Sequence, residues 1–360
     1  MSLNEECSRG RRRLYVTLLS ICLSVVLFAH PASADAIKDV GELTGFWRAN
    51  APRCETSPSS ENCSDGDMTL FSGLLCAVGE IDGCSAVKDA QDAKGGGWYR
   101  SPRLQRDRTI RKGDSFSWDM ALGVMLYTAT TKDYQAFGRW LSWVEASRPC
   151  LVESPKIEGK QICLVRGWPR VCTDDSEKGC TLRPGDLATL ALFVDALKIE
   201  IPPPAEDPLP GGVAGVVFQK LQEESKAANR AFCVSELIPR ARGLQPTILL
   251  LSSAVNEPGF PRHLVGVEIM LFRMVGRGSP TVDRAAQILA SLQPDNPFFQ
   301  YLAGSQPELV AEQLLKLAPK QESELPKEKV DWAWQRDTAD KAWEKSNLWD
   351  FVFMGRVVSP

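Results

Sequence analysis

Four ionisable side chains stand where acid or base chemistry could be run: Asp119, Glu80, Glu268 and His263. Hydrolysis of a glycosidic bond needs two carboxyl groups, one to protonate the leaving oxygen and one to act as base or nucleophile. Asp119 closes the run Ser115-Phe116-Ser117-Trp118-Asp119 at the first turn of a strongly apolar segment. An acid there also meets the helix dipole favourably and needs no further role. Glu80 follows an apolar run and stands close to Cys84, a position that capping does not explain, whereas Asp67 in Ser64-Asp65-Gly66-Asp67 reads as a helix cap. Glu268 lies inside the apolar segment 264–274, where an ionised side chain needs a partner. Arg262 and Arg273, about one turn away on either side, make a structural ion pair the plainer reading. His263, the only histidine after residue 30, would serve as a general base, including that of a lyase with Tyr99 or Tyr127. A lone histidine at a helix start is also an ordinary structural residue.

Aromatic side chains beside cations form a second group. Trp98-Tyr99-Arg100 follows Gly95-Gly96-Gly97, with Arg103 close by, and Trp118 precedes Asp119. Such a loop would stack rings on a sugar face and pair a guanidinium with a carboxylate; it reads equally as a loop pinned by its rings. The densest aromatic stretch is near the C-terminus, with Trp332, Trp334, Arg336, Asp337, Trp343 and Trp349. It reads as a docking tail or as a cleft wall bearing Arg336 and Asp337. No stretch matches a catalytic signature.

Eight cysteines fall in two clusters: Cys54, Cys63, Cys76 and Cys84, then Cys150, Cys163, Cys172 and Cys180. Even-numbered clusters read as a disulfide framework. Neighbouring partners such as Cys54 with Cys63 and Cys172 with Cys180 fit, but the connectivity stays open. Cys233 stands alone and reads as a buried thiol. No Cys-x-x-Cys occurs, so no zinc site and no resident cofactor are expected. Asp174, Asp175 and Glu177 lack the spacing of a calcium loop. Charge adds a further exclusion: 42 basic against 45 acidic residues, with the only dense basic run at Arg11-Arg12-Arg13, gives no surface for nucleic acid.

These residues must be positioned mainly by helices. The run 117–130 is apolar on almost every side, as in a helix buried all round, and Gly123 within it would admit a close neighbour. Segment 133–145 instead places Tyr134, Phe137, Trp140, Leu141 and Val144 on one face. The alternation returns with 263–275 followed by 281–292, while 186–197 reads as another apolar helix and 307–317 as another one-faced helix. Strands are expected only at 162–165 and 168–172, as a small hairpin inside the second cysteine cluster. The Pro/Gly-rich loop 201–212 marks where the helical domain 35–360 would divide if it forms two units.

Buried helices alternating with one-faced helices resemble the (α/α) toroid, in which an inner helical ring is enclosed by an outer one. Many exported proteins of that architecture act on glycans as glycoside hydrolases or polysaccharide lyases. The resemblance is architectural, covers much of the chain and implies a mainly α, toroid-like domain with a small disulfide-bonded insertion and a glycan substrate; no family motif aligns with these residues.

The N-terminus points to export. Arg11-Arg12-Arg13, an uncharged apolar run over 14–29 and Ala32-Ser33-Ala34 have the order of a cleavable signal, which predicts a chain beginning near Asp35, periplasmic or secreted, with no membrane span after cleavage. The alternative to a glycan-acting protein is a non-enzymatic envelope protein that binds a partner or stabilises an assembly. Geometry separates the two: Asp119, Glu80, Trp98 and Arg100 in one cleft favour the first, and their dispersal or burial favours the second.

Overall fold

The computed structural model describes residues 32–51, 68–107, 115–172, 180–325 and 348–360. The chain opens with α1 (Ala32–Asn50), α2 (Met68–Ala77), α3 (Ile81–Asp89), α4 (Pro102–Asp107), α5 (Trp118–Thr131) and α6 (Tyr134–Ala146). A hairpin of β1 (Cys150–Glu153) and β2 (Cys163–Arg166) follows. Next come α7 (Pro184–Leu197), α8 (Gly212–Arg230), α9 (Val234–Arg240), α10 (Gln245–Val255) and α11 (Phe260–Met274). The last are α12 (Pro280–Leu292), α13 (Pro297–Leu302), α14 (Pro307–Leu317) and α15 (Trp349–Val358). Proline fixes several starts: Pro184, Pro246, Pro261, Pro280, Pro297 and Pro307 each occupy a first or second helical position. There the missing N–H costs nothing and φ is already helical.

Apolar runs with no polar face take the centre. Residues 120–129 of α5 are all buried, and α5 packs against α2, α3, α6, α7 and α11. At its crossing with α2 the two backbones touch: a methyl group placed on Gly123 would run into Thr69 and Leu70, and one on Gly73 would run into Gly123. Glycine lets the crossing close to backbone contact, as the sequence suggests for Gly123. The one-faced helices lie outside, with Asp133 capping α6 and Ser279 capping α12 by accepting from backbone N–H groups. The protein is therefore mainly helical, with one small two-stranded sheet.

The first and last helices close on each other. The rings of Trp47 on α1 and Phe351 on α15 stand 5.6 Å apart, and the Trp47 indole N–H donates to the Pro319 carbonyl at 2.7 Å.

Disulfides join Cys76 to Cys84, Cys150 to Cys163 and Cys172 to Cys180. Cys233 is a free, buried thiol; Cys54 and Cys63 lie outside the described residues. The hairpin differs from expectation. Segment 163–166 pairs with Cys150–Glu153, not with 168–172, which instead forms a single bridge between Arg170 and Thr181. The Cys150–Cys163 bond crosslinks β1 to β2, whereas Cys172–Cys180 holds segment 168–172 to the residues that lead into α7. Loop 201–212 is also tied down. Asp207 accepts from the Cys163 backbone N–H and pairs with Arg166, and Glu145 of α6 accepts from the Ala205 N–H. Arg148, fully enclosed, binds Glu145 at 2.8 Å and Asn229 of α8 at 2.6 Å. These bonds join α6, the hairpin, the loop and α8 into one polar clasp.

No helix among the described residues is long and apolar enough to cross a membrane.

Candidate functional site

The described part of the sequence-selected set falls into three separate environments. Glu80, 1% exposed, sits at the corner between α2 and α3, held by Arg356 of α15 at 2.7 Å and Arg48 of α1 at 3.1 Å. It is a structural ion cluster tying both ends of the chain to the corner. Trp98 is fully buried, its indole N–H donating to the Val87 carbonyl at 2.6 Å and its ring edge-on to Tyr127. Thr69 pins the same loop through the carbonyls of Tyr99 and Arg100. The loop is held by one buried ring and by backbone contacts, rather than offering two rings to a ligand.

Asp119 and Arg100 do meet. Ser117 bridges them, donating to Asp119 and accepting from Arg100 Nη2 at 3.2 Å, while Arg100 Nε donates to the Ser115 carbonyl at 2.6 Å. This arrangement orders the start of α5, beside the half-buried Trp118. Arg103 lies half-buried on α4. Trp332, Trp334, Arg336, Asp337, Asp67, Asp174, Asp175 and Glu177 lie outside the described residues.

His263 occupies the core between Phe260 and Phe298, and neither ring nitrogen has a hydrogen-bond partner. Burial pushes its pKa down to about 3, so the ring is neutral and walled off from solvent. Tyr127 donates to Asp133 at 2.9 Å, and burial, followed by that bond, pushes its hydroxyl up to about 12.

Glu268 stands apart from all of these. The expected partners are absent: Arg273 pairs with Asp283, and Arg262 is buried with its Nε unpartnered. The reason is helical phase. Arg262 is six residues and Arg273 five residues from Glu268, whereas side chains meet along a helix at three or four. Glu268 instead faces two other helices. Thr189 of α7 donates to Oε1 at 3.0 Å, and Gln245, the first residue of α10, reaches Oε2 at 3.5 Å and the Thr189 hydroxyl at 2.6 Å. Gln245 is 1% exposed and its Oε1 has no partner.

One turn before Thr189, on the same face of α7, stands a second carboxyl group, Asp186. Its Oδ2 accepts from the Arg183 N–H at 2.7 Å, in the manner of a helix cap. The Arg183 N–H and the charge of the Arg183 guanidinium favour the ion, yet burial outweighs them and pushes the Asp186 pKa up to about 6. Glu268 is pushed further, to about 7, by burial first; the hydrogen bond from Thr189 offsets part of that, the charge of Asp186 adds a smaller rise and Gln245 a smaller offset. Both carboxyls are held above the ordinary carboxylate range, Glu268 further than Asp186, so Glu268 is the one that keeps its proton to the higher pH. That division is what paired acid–base chemistry needs. Neither side chain makes a salt bridge among the described residues, although the charge of Arg183 acts on Asp186.

Asp186, Thr189 and Gln245 escape a sequence reading because each looks ordinary where it stands. The one available signal was a polar residue, Thr189, within the apolar helix that follows Asp186. Among the described residues, no group of three or more His, Cys, Asp or Glu side chains is arranged to hold a metal ion.

The chain matches no family model, no curated protein and no solved structure.

Proposed function

We propose that this is an exported protein that hydrolyses a glycan, with Asp186 and Glu268 as its reacting carboxyl groups. The observation that carries the reading is the pair itself: two carboxyls from α7 and α11, neither in a salt bridge among the described residues, both pushed up by burial, Asp186 to about 6 and Glu268 to about 7. Glu268, protonated, gives its proton to the glycosidic oxygen as the bond from the anomeric carbon to that oxygen breaks. Asp186, ionised, takes a proton from the water that adds to the same carbon. The unpartnered Oε1 of Gln245 is an acceptor for a sugar hydroxyl. Export agrees with three disulfides and with the N-terminal signal pattern. A toroid arrangement agrees with the buried α5, α7 and α11 next to one-faced helices, with Asp186 at an end of α7 where such a ring opens.

The test is turnover of envelope glycans against pH. Activity should follow a bell with limbs near pH 6 and pH 7, and Asp186→Asn and Glu268→Gln should each remove it while far-UV circular dichroism stays unchanged. Full turnover by either folded variant would end the catalytic claim. A second reading, a non-enzymatic envelope protein that binds a partner or stabilises an assembly, is favoured by the burial of Glu80 and Trp98 in structural contacts. Under it, both variants would retain partner binding and no glycan would be turned over.

A further inference from the structure

Away from the carboxyl pair, α2, α11, α13 and α15 bring their C-terminal turns around a cavity of about 390 Å³. That is the size of a small-molecule site. Met270 and Met274 of α11, Leu302 of α13 and Val357 of α15 form apolar walls, and no Asp or Glu side chain lines the space. Methionine walls adapt readily to an unbranched chain, because the thioether has three rotatable bonds and is polarisable.

Two guanidinium groups stand at the rim, and they differ in what remains free. Arg273 is spent, Nη1 donating to the Leu302 carbonyl at 2.5 Å and Nη2 pairing with Asp283 at 2.7 Å. Arg356 uses only Nε, on Glu80 at 2.7 Å, and its two Nη groups have no partner among the described residues. Glu80 also holds Arg48 at 3.1 Å, and Arg48 in turn lies 3.9 Å from Asp82, so the four charges balance and what Arg356 still offers is its free Nη donors. Tyr301, 39% exposed, adds a hydroxyl with no partner among the described residues. The site thus offers an apolar chamber, one unspent planar fork of N–H donors and one hydroxyl.

We propose that this cavity binds an aliphatic monocarboxylate, its chain against Met270, Met274 and Leu302 and its carboxylate on the Nη groups of Arg356. A planar guanidinium matches a carboxylate with two parallel hydrogen bonds. Two parallel N–H donors fit the two oxygens of a single carboxylate, whereas a phosphate monoester would bring close to two negative charges to a cluster with no surplus cation. The proposal is independent of the carboxyl pair on α7 and α11.

The full chain would be titrated with octanoate, with octanol as the same chain without the charge, and with acetate as the charge without the chain. Octanoate should raise Tm in a concentration-dependent way, as a ligand of the native state does, and octanol and acetate at the same concentrations should not. Met274→Trp fills the chamber and leaves every charge in place, so octanoate binding measured by calorimetry should weaken at least tenfold in it. Arg356→Gln should lose octanoate as well, but it also disturbs Glu80, which makes Met274→Trp the deciding variant. No response to octanoate in the unmodified chain, an equal response to octanol or acetate, or undiminished octanoate binding by Met274→Trp would each overturn the proposal.

Discussion

Replacing Glu268 by glutamine should make the protein more stable, and only at the pH where the carboxylate would be charged. The carboxyl titrates at about 7 in the folded chain against 4.5 for the unperturbed group, chiefly because it is buried. Between those values the folded state binds more protons than the unfolded one, so stability falls as pH rises through that window and the full cost is present above pH 7. At about 1.4 kcal/mol per unit, the cost approaches 3 kcal/mol at pH 8 and is under about 1 kcal/mol at pH 5. Glutamine keeps an acceptor for Thr189 without the charge. Urea denaturation of both proteins at pH 5 and pH 8 measures the difference. His263 works in the opposite direction: its neutral burial costs stability as pH falls below 6.5 toward about 3. That contribution is common to both proteins and cancels in the comparison. The expected result is a gain of about 3 kcal/mol at pH 8 that nearly vanishes at pH 5. A gain of equal size at both pH values, or a loss at pH 8, would show that Glu268 is stably ionised and would refute the argument. If the same variant also loses turnover, stability has been given up for chemistry at this position.

Other substitutions should separate structure from function. Glu80→Ala removes the acid that Arg48 and Arg356 share; because both guanidinium groups reach solvent and Arg48 keeps Asp82, it should cost about 1–2 kcal/mol, read as a fall in the urea midpoint at unchanged m. It is the opposite sign to Glu268→Gln, although both remove an acid from an apolar setting. Gly123→Ala forces a methyl group into the backbone of α2 and should cost at least about 2 kcal/mol, with Gly138→Ala, where nothing lies within 4 Å, as the neutral or stabilising control. Removing the Cys150–Cys163 bond by paired serine substitution frees a loop of 13 residues and should cost about 3 kcal/mol by thermal unfolding.

What could be read from the sequence divides by range. Helix extents follow from apolar spacing within a dozen residues, which is why 117–130 and 133–145 match α5 and α6 within about a residue. Gly123 announced a close neighbour, yet nothing local identifies that neighbour as Gly73. The hairpin differs from what local pattern predicts for a related reason. Leu151 and Val152 are exposed, so β1 carries no burial signal, and its pairing with β2 is reinforced by a disulfide whose connectivity sequence leaves open. Glu268 was conspicuous because its surroundings along the helix are apolar. Its partner Thr189 lies 79 residues away, and one-dimensional proximity to Arg262 and Arg273 suggested an ion pair that helical phase forbids. Asp186 looked like an ordinary helix start and does act as one; only the third dimension shows that it also shares a site.

The closure of α15 on α1 has a consequence for how the chain matures. The Trp47 indole bonds to Pro319 across 272 residues, and Glu80 meets Arg356 across 276. Until α15 has been made, α1 lacks the Phe351 ring it packs against and Glu80 lacks one of its two guanidinium partners. Contacts of such sequence separation form late, because the intervening chain must be ordered first. A chain truncated before α15 should therefore leave α1 and the Glu80 corner unlatched, however well the intervening helices have formed.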